Sequence, residues 1–167
     1  MNSPTVVTHL LQDDGVIPNN AKLPLLVYPE VLKGESKEGV RGCILANDWQ
    51  GAWAGSVYGF HHYHISAHEV LGCFQGSAKV QFGGESGPVV DMQAGDGVVI
   101  PAGVGHKSLS ASSDFSVIGA YPPGQEVDMC EENEESRDEI VSRIQNLPLP
   151  QTDPFYGNSG PLLNLWK

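Results

Sequence analysis

The chain has 167 residues, enough for one ordinary domain with a well-developed hydrophobic core. Its formal net charge of -11 argues against a nucleic-acid partner, which needs a basic stripe, and against binding to anionic membranes. The sequence has no apolar run long enough to cross a membrane and no leader-like start, which also argues against a membrane protein.

Glycine and proline punctuate the chain throughout. The twenty glycines and twelve prolines fall between short apolar runs, while the hydrophobic fraction is an ordinary 40%. This pattern is typical of an all-β protein with tight turns rather than of a disordered chain. The cysteines are three, an odd number without CxxC spacing, so we expect free thiols and a cytoplasmic location.

Residues 1–40 predict an N-terminal arm with an edge strand. Residues 5–11 alternate as an edge strand would, whereas residues 23–32 are interrupted by prolines and predict an extended arm or edge. Residues 33–40 predict a polar loop. Residues 42–47 fit either a strand or the last turn of a short helix, and the sequence leaves both open.

The stretch from His61 to Gly76 organises the rest of the chain. As two strands around a turn, it places His62 and His64 on one face, because strand side chains alternate. Glu69 starts the next hydrophobic run, and His106 follows a Pro/Gly turn further along. Three imidazoles and a carboxylate are ligands that suit a divalent transition metal, so we predict a metal site here.

The same alternation predicts the walls of a pocket beside the metal. It places Tyr58 and Phe60 on the inward face with the ligand histidines. On the next strand it turns Leu71, Cys73 and Gln75 inward with Glu69, and a small buried hydrophobe is the favoured interpretation of this cysteine. The residues expected to face outward are Val57, Gly59, His61 and Tyr63. With His68, His61 lies off the ligand phase, so we expect outward imidazoles or partners that fix a ligand tautomer.

The remaining strands are short and separated by turns. They are predicted at residues 78–82, 89–92, 97–100 and 114–121, with a turn at 83–88. The glycine-rich pieces at 83–87 and 95–105 do not precede helices with phosphate-loop spacing. They are therefore interpreted as hairpin turns, and no nucleotide cofactor is expected.

The last part of the chain has a different character. Residues 126–139 are strongly acidic and predict a solvated helix start, and residues 136–147 have the apolar spacing of an amphipathic helix. The expected anchors of the tail are Phe155, Tyr156, Leu162, Leu163 and Trp166. We therefore divide the chain into an N-terminal part at 1–40, a barrel with the metal site at 41–125, and a segment at 126–167 with the helix and tail.

Two motifs carry a resemblance to a known family. His62-x-His64, four residues, Glu69, six residues, Gly76 resembles the first cupin motif. Gly95, five residues, Pro101-x-Gly103, two residues, His106 resembles the second. Ser56 stands where the first motif expects glycine and Ser110 where the second often has asparagine, and neither position donates to the metal. With the tail sequence at 152–157, residues 45–167 are similar to the YjlB-like subfamily of small cupins.

The resemblance implies a fold, a ligand set and an assembly. It implies a cupin double-stranded β-helix, a jelly-roll-like barrel, with a divalent metal held by His62, His64, Glu69 and His106. Small cupins commonly dimerise through edge strands or arms, so a homodimer is expected. The metal is left open among iron, manganese, nickel, zinc, cobalt and copper.

Two classes of function remain open on the sequence. One is a metal-dependent enzyme, of dioxygenase or isomerase type, acting on a small organic molecule or sugar, with Tyr58, Glu69 or Tyr121 available for proton transfer. Glu69 would have to leave the metal to act as a base. The other class is a non-catalytic module that binds or senses a sugar or metabolite. The complete ligand set favours the enzyme.

Overall fold

The computed structural model describes residues 4–131 and 137–167. In these residues it has nine strands and three helices. In chain order these are β1 Val7–Leu11, β2 Asn20–Tyr28, α1 Lys37–Ala46, β3 Gln50–Gly55, β4 Glu69–Gln75, β5 Ser77–Phe82, β6 Val89–Gln93, β7 Gly97–Ile100, β8 His106–Ala111, β9 Ser116–Tyr121, α2 Arg137–Asn146 and α3 Leu162–Leu165. None of the described helices is long and apolar enough to span a bilayer.

The strands form two antiparallel sheets. One has the order β1-β2-β7-β4-β9-β3 and the other the order β6-β5-β8. Apolar side chains of both sheets share one buried cluster, with Leu71 of β4 and Phe82 of β5 among them. Facing sheets that enclose a common core are the jelly-roll arrangement, so the predicted cupin barrel is confirmed.

The large sheet is also covered on its outer face. Successive residues alternate between the two sides, so Leu71 points into the barrel while Val70 packs in a second cluster. That second cluster includes Ile44 of α1, Phe155 of the tail and Trp166 beyond α3. Burial on both faces explains why the strands of this sheet are apolar at consecutive positions.

The prediction for residues 23–32 as an arm or edge is wrong. These residues begin within β2, which lies inside the large sheet between β1 and β7. Its proline is tolerated because β7 pairs only with the end of β2, from Leu26 to Tyr28, so Pro24 lies outside that ladder. The Pro24 carbonyl instead accepts a hydrogen bond of 2.8 Å from Trp166 Nε1. The neighbouring strand β1 is the edge, as predicted.

Helix α1 replaces part of the loop predicted at 33–40 and resolves the open question at 42–47. Ser36 caps it, since its hydroxyl accepts a hydrogen bond of 3.1 Å from the Gly39 amide. Val40 and Ile44, four residues apart, are fully buried against the sheet. The loop prediction failed because the apolar face of this helix is narrow and is interrupted in the sequence by glycines and charged residues.

Most other strands lie where the alternation predicts them, but β8 was not predicted. It is rich in serine and mostly half-buried or exposed beyond His106, so it lacks an apolar pattern. It forms because β5 pairs with it, for example Phe82 with His106. In this strand the partner strand, rather than the local sequence, decides the structure.

Helix α2 agrees with the helix predicted at 136–147, although Ser136 and the acidic residues 132–135 lie outside the described residues. Ile140 and Ile144 are buried on one face of the helix. They pack in a third cluster with Tyr63, which is fully buried. The prediction that Tyr63 faces outward is therefore incomplete, because α2 covers that side of the chain.

The tail is fastened to the barrel by a buried carboxylate. Asp153 is fully buried, and its Oδ2 accepts a hydrogen bond of 2.6 Å from the Tyr28 hydroxyl of β2. The amides of Phe155, Tyr156 and Leu162 also donate to this carboxylate. Of the predicted anchors, Phe155, Leu162 and Trp166 are buried, Leu163 is partly buried and Tyr156 is 38% exposed.

Gly97 allows the tail to lie against β7. A Cβ at this position would lie 2.4 Å from Phe155 Cζ. We expect Gly97→Ala to lower the free energy of unfolding by about 1–3 kcal/mol, because the ring must move in a close-packed core. Urea denaturation measures the change. Gly42→Ala is the matched control: it lies in α1 with nothing within 4 Å of its Cβ, and it should be neutral or slightly stabilising. Equal effects of the two substitutions would contradict the packing explanation.

Candidate metal centre

Three histidines from separate parts of the chain converge inside the barrel. His62 and His64 lie in the irregular segment before β4, and His106 begins β8. Their candidate ligand atoms all lie within 4.8 Å of one another, and all three residues are buried. Two backbone hydrogen bonds of 3.2 and 3.0 Å join His62 to His106. The predicted histidines therefore meet. The segment with His62 and His64 is not the regular strand that we predicted, because His62 pairs with His106 only in an isolated bridge.

Each of these imidazoles has one ring nitrogen engaged with the backbone. Nδ1 of His62 is 3.1 Å from the Phe60 carbonyl, and Nδ1 of His106 is 3.1 Å from the Val104 carbonyl. Nδ1 of His64 contacts the Asp128 carbonyl. Because a carbonyl can only accept, each Nδ1 carries a proton, and Nε2 is the nitrogen that is left to face Glu69 or a metal. Once Nε2 has no proton, this is the tautomer that binds a metal.

Glu69 completes the group at the start of β4. Its Oε1 lies 3.3 Å from His64 Nε2 and 3.4 Å from His106 Nε2. Burial raises the pKa of this carboxyl, but hydrogen bonds from the two imidazoles outweigh burial and leave the pKa lowered. Glu69 is therefore a carboxylate, the form that can bind a metal.

The pKa values of His62 and His64 are shifted in opposite directions. Burial, followed by the neighbouring His106, lowers the pKa of His62 to about 3, so this imidazole is neutral at physiological pH. Burial also lowers the pKa of His64, but the bond and charge of Glu69 outweigh it and the pKa is raised. Imidazole and carboxylate donors of this kind fit a divalent transition metal, and a cation at Nε2 would take the place of the shared proton.

The ligand atoms face a cavity of about 540 Å³ that opens to the surface. Its lining residues are Trp53, Ala54, Gly55, Ser56, Val57, Tyr58, His62, His64, Glu69, Leu71, His106, Tyr121, Val127, Asp128 and Met129. The predicted residues Tyr58, Leu71 and Tyr121 are among them. Tyr58 is 53% exposed and stacks on Phe60 with ring centroids 5.1 Å apart, so it marks the rim rather than the floor.

Other predicted positions lie elsewhere. Phe60 does not line the cavity, but its ring lies 5.7 Å from that of His62 and is 40% exposed. Cys73 is buried in the barrel core, where its thiol is 3.4 Å from the Gln75 carbonyl. Gln75 is exposed rather than inward, because the β4–β9 pairing shifts register after Cys73. The predicted alternation of inward and outward side chains therefore holds for Leu71 and fails at Phe60 and Gln75.

The two neighbouring histidines take no part in the group of three. His61 lies with its Nε2 3.6 Å from Glu85 Oε1 and does not line the cavity. His68 is fully buried; its Nδ1 accepts a hydrogen bond of 2.9 Å from the Ala102 amide, and its ring lies 4.9 Å from that of Trp166. Burial lowers the pKa of His68 to about 4. It is thus a neutral core residue rather than the outward or tautomer-fixing imidazole that we predicted.

Trp53 and Tyr121 form one wall of the cavity. Trp53 Nε1 donates a hydrogen bond of 2.8 Å to the Tyr121 hydroxyl. The indole can lie on β9 because Gly119 has no side chain: a Cβ there would lie 2.3 Å from the ring. Burial, and then the Glu69 carboxylate, raise the pKa of Tyr121, so its hydroxyl keeps its proton. Trp53 was not predicted as a site residue, and its place depends on this close approach.

The segment after β9 crosses the cavity and was not predicted to belong to the site. We call residues 125–131 the strap. Its Val127, Asp128 and Met129 line the cavity. The Asp128 carboxylate accepts hydrogen bonds from the amides of Ile65 and Ser66, at 3.0 and 2.9 Å. In the sequence these residues belong to an acidic run that indicates only a solvated segment, so no local pattern could have identified them.

Removing the Asp128 side chain should loosen the strap and, with it, the carbonyl that orients His64. We expect Asp128→Ala to weaken metal binding by about tenfold or more, as for other residues that position a ligand histidine. Competition with a chelator measures the affinity. Glu126→Ala removes the same charge from an exposed position of the strap and should leave the affinity unchanged. A similar loss in both variants would mean that net charge, not the position of the strap, is responsible.

Comparison with known proteins finds a relative that matches almost the whole chain. The uncharacterized protein YjlB of Bacillus subtilis (strain 168) is 45% identical over 159 residues, which is 95% of this chain and 95% of YjlB. No family model matches the sequence. The likeness to YjlB therefore extends over almost the whole of both chains.

Solved structures resemble the chain only weakly. A DUF861 family protein from Thermotoga maritima has a TM-score of 0.36 and 19% identity, with coverage of 52% of this chain and 92% of that chain. DMSP lyase DddQ from Ruegeria pomeroyi DSS-3 has a TM-score of 0.38 and 18% identity, with coverage of 80% of this chain and 55% of that chain. Acireductone dioxygenase from Bacillus anthracis, with a cadmium ion in its active center, has a TM-score of 0.36 and 16% identity, with coverage of 79% of this chain and 96% of that chain. At these TM-scores none of them bears on the activity of this chain.

Proposed function

The chain belongs to the YjlB-like family of small cupins, and from this premise we propose that it is a metal-dependent enzyme acting on a small organic molecule. The reaction would be of dioxygenase or isomerase type. The metal would be a divalent transition ion held by His62, His64 and His106, with Glu69 as the fourth protein ligand. The substrate would occupy the cavity of about 540 Å³ in front of these residues.

One observation carries this proposal. Three buried imidazoles have their Nδ1 atoms engaged by backbone carbonyls and their other nitrogens directed to one region of an open cavity. A purely structural metal site is normally closed by protein ligands, whereas a catalytic site keeps positions open to water or substrate. The open cavity in front of the three histidines supports the catalytic kind.

The protein residues would divide the work. When bound, a divalent metal supplies a Lewis acid or an oxygen-binding centre. The backbone carbonyls hold the imidazoles by their Nδ1 atoms and so orient their other nitrogens toward the metal position. Trp53 orients Tyr121 beside Glu69, and Tyr58 at the rim can give a proton to a substrate oxygen. Glu69 would have to leave the metal to serve as a base.

A specific observation also favours the second candidate, a non-catalytic binding module. Among the described residues of the cavity, Glu69 is engaged with two imidazoles, Asp128 with backbone amides and Tyr121 with Trp53. The Tyr121 hydroxyl accepts from Trp53 and keeps its own proton, so Tyr121 and the exposed Tyr58 are the candidate proton donors. A site with so few available acids and bases is also suited to holding a ligand without converting it.

Elemental mass spectrometry on protein purified without an affinity tag or chelator tests the proposal. We expect one transition-metal ion per chain. If the metal is redox-active, we then expect substrate-dependent oxygen uptake in activity assays; if it is not, we expect isomerisation of a substrate. Tight ligand binding without turnover would favour the binding module. Absence of metal, even after reconstitution, would overturn both candidates.

The homodimer stays a prediction. The large sheet has β1 and β3 as its edge strands in the described part of the chain. Edge strands of this kind can pair with a second copy. Light scattering of the purified protein gives the molar mass in solution and decides between monomer and dimer.

A further inference from the structure

We infer that the ligand of this cavity is an uncharged molecule with an apolar body and a polar end that reaches the metal. The inference rests on the proposed function, because it takes a divalent ion at the three histidines as given. It narrows the substrate class, since it disfavours both sugars and the anions of keto or hydroxy acids. The observations that carry it are the charges and the side chains of the cavity wall.

The charges of the site balance without a charged ligand. Two carboxylates line the cavity, Glu69 at the metal and Asp128 on the strap. They match the two positive charges of a divalent ion, while the imidazoles are neutral when they bind a metal. No lysine or arginine is found among the described lining residues. An anionic ligand would therefore bring a charge that no residue of the wall compensates.

The charge of the whole molecule acts in the same direction. The net charge of -11 gives a negative potential around the protein, which lowers the local concentration of anions. The strap is itself part of an acidic stretch of sequence. Entry past the strap is thus more favourable for an uncharged molecule than for a carboxylate of the same shape.

The wall offers much apolar surface and few polar groups. Apolar side chains come from both sides of the cavity: Trp53, Val57, Leu71, Val127 and Met129. The Tyr121 hydroxyl already accepts from Trp53, so its polar capacity is partly used. Beside the metal ligands and Asp128, only Ser56, Tyr58 and Tyr121 of the described lining carry side-chain polar groups, apart from the Trp53 N–H that is bound to Tyr121, so a sugar would bury more hydroxyls than the wall can pair, which costs free energy for each one.

The rim gives the apolar part of the ligand a defined place. Val127 and Met129 of the strap are 45% and 51% exposed, although they line the cavity. Tyr58, across the rim, is 53% exposed. A ligand with an apolar body would cover these side chains when its polar end reaches the metal, and their burial would contribute to its affinity.

A matched pair of probes tests the inference on cobalt-loaded full-length protein. α-Hydroxyacetophenone and mandelate both carry a phenyl group and two adjacent oxygens, but only mandelate is an anion. In water the anion has the stronger attraction to a divalent cation. We expect the protein to reverse this order and bind the neutral probe at least about tenfold more tightly. Calorimetry and the visible spectrum of cobalt give the two affinities.

A charge introduced at the rim provides the second arm. Val127 is half-exposed, so both Val127→Lys and the uncharged control Val127→Gln should fold. Val127→Lys should tighten mandelate binding roughly tenfold, because its ammonium compensates the added charge. Val127→Gln should leave the order of the probes unchanged.

The outcomes separate the two levels of the proposal. If cobalt does not bind, the proposed function fails and the inference fails with it. If cobalt binds but mandelate binds as tightly as the neutral probe, or neither probe binds, the inference alone is overturned. Equal mandelate affinities in Val127→Lys and Val127→Gln would also overturn it, since charge would then not control selection.

Discussion

Replacing His106 by alanine should leave the purified protein almost free of transition metal. His106 is 2% exposed, and it is one of three imidazoles whose ligand atoms lie within 4.8 Å of one another. Its loss removes a ligand directly, so the affinity should fall by more than the roughly 100-fold that is typical of residues behind the ligands. Elemental mass spectrometry of the variant and the unaltered protein, purified side by side, gives the result.

The strand itself should survive this substitution. The backbone bonds between His106 and His62 involve only main-chain atoms, so alanine can keep them. His61→Ala is the matched control, because it removes an imidazole next to His62 that does not line the cavity. It should keep its metal. Metal retained in His106→Ala, or lost equally in His61→Ala, would show that the ion binds elsewhere.

The candidate ligands could be predicted because their spacing is local. His62 and His64 are two residues apart, and Glu69 starts the strand that follows them. His106 comes directly after a turn at Pro101 to Gly103, and this turn sets where β8 begins. Such short-range geometry depends on a few backbone angles rather than on the whole fold. The strand predicted at residues 97–100 likewise depends on a short local pattern, and it coincides with β7.

Elements whose stability comes from distant partners were harder to predict. The inner position of β2 depends on its pairing with β7, and β8 depends on β5. Neither strand shows this in its own residues: β2 carries a proline, and β8 is rich in serine. Pairing and burial override local propensity in such strands.

The strap shows the same limit within the site itself. Its position over the cavity comes from Asp128, whose carboxylate accepts from the amides of Ile65 and Ser66 in the segment before β4. In the sequence this aspartate is one acidic residue among many. Only the folded chain distinguishes it from the exposed Glu126 two residues before it. The candidate ligands of the site were thus predictable, whereas the residues that close and orient it were not.

Replacing Asp153 by alanine should destabilise the protein more than the other stability substitutions considered, by about 3–5 kcal/mol. Its carboxylate is fully buried and accepts bonds from the Tyr28 hydroxyl and from three backbone amides. Alanine would leave these donors without an acceptor in the core, and each unsatisfied donor costs its own desolvation. The tail would lose this attachment to β2 and keep the one from Trp166 to the Pro24 carbonyl. Urea denaturation followed by circular dichroism measures the effect.

Two milder substitutions separate the carboxylate from its hydroxyl partner. Asp153→Asn keeps the Oδ1 acceptor for Phe155 and Tyr156 but turns an amide group toward the Tyr28 hydroxyl and the Leu162 amide, so an intermediate loss is expected. Tyr28→Phe removes one donor and should cost only about 1 kcal/mol. The expected order of destabilisation is therefore alanine, asparagine, then phenylalanine. If Tyr28→Phe matched Asp153→Ala, the backbone amides would contribute nothing, and the whole effect of Asp153 would come from its bond with the Tyr28 hydroxyl.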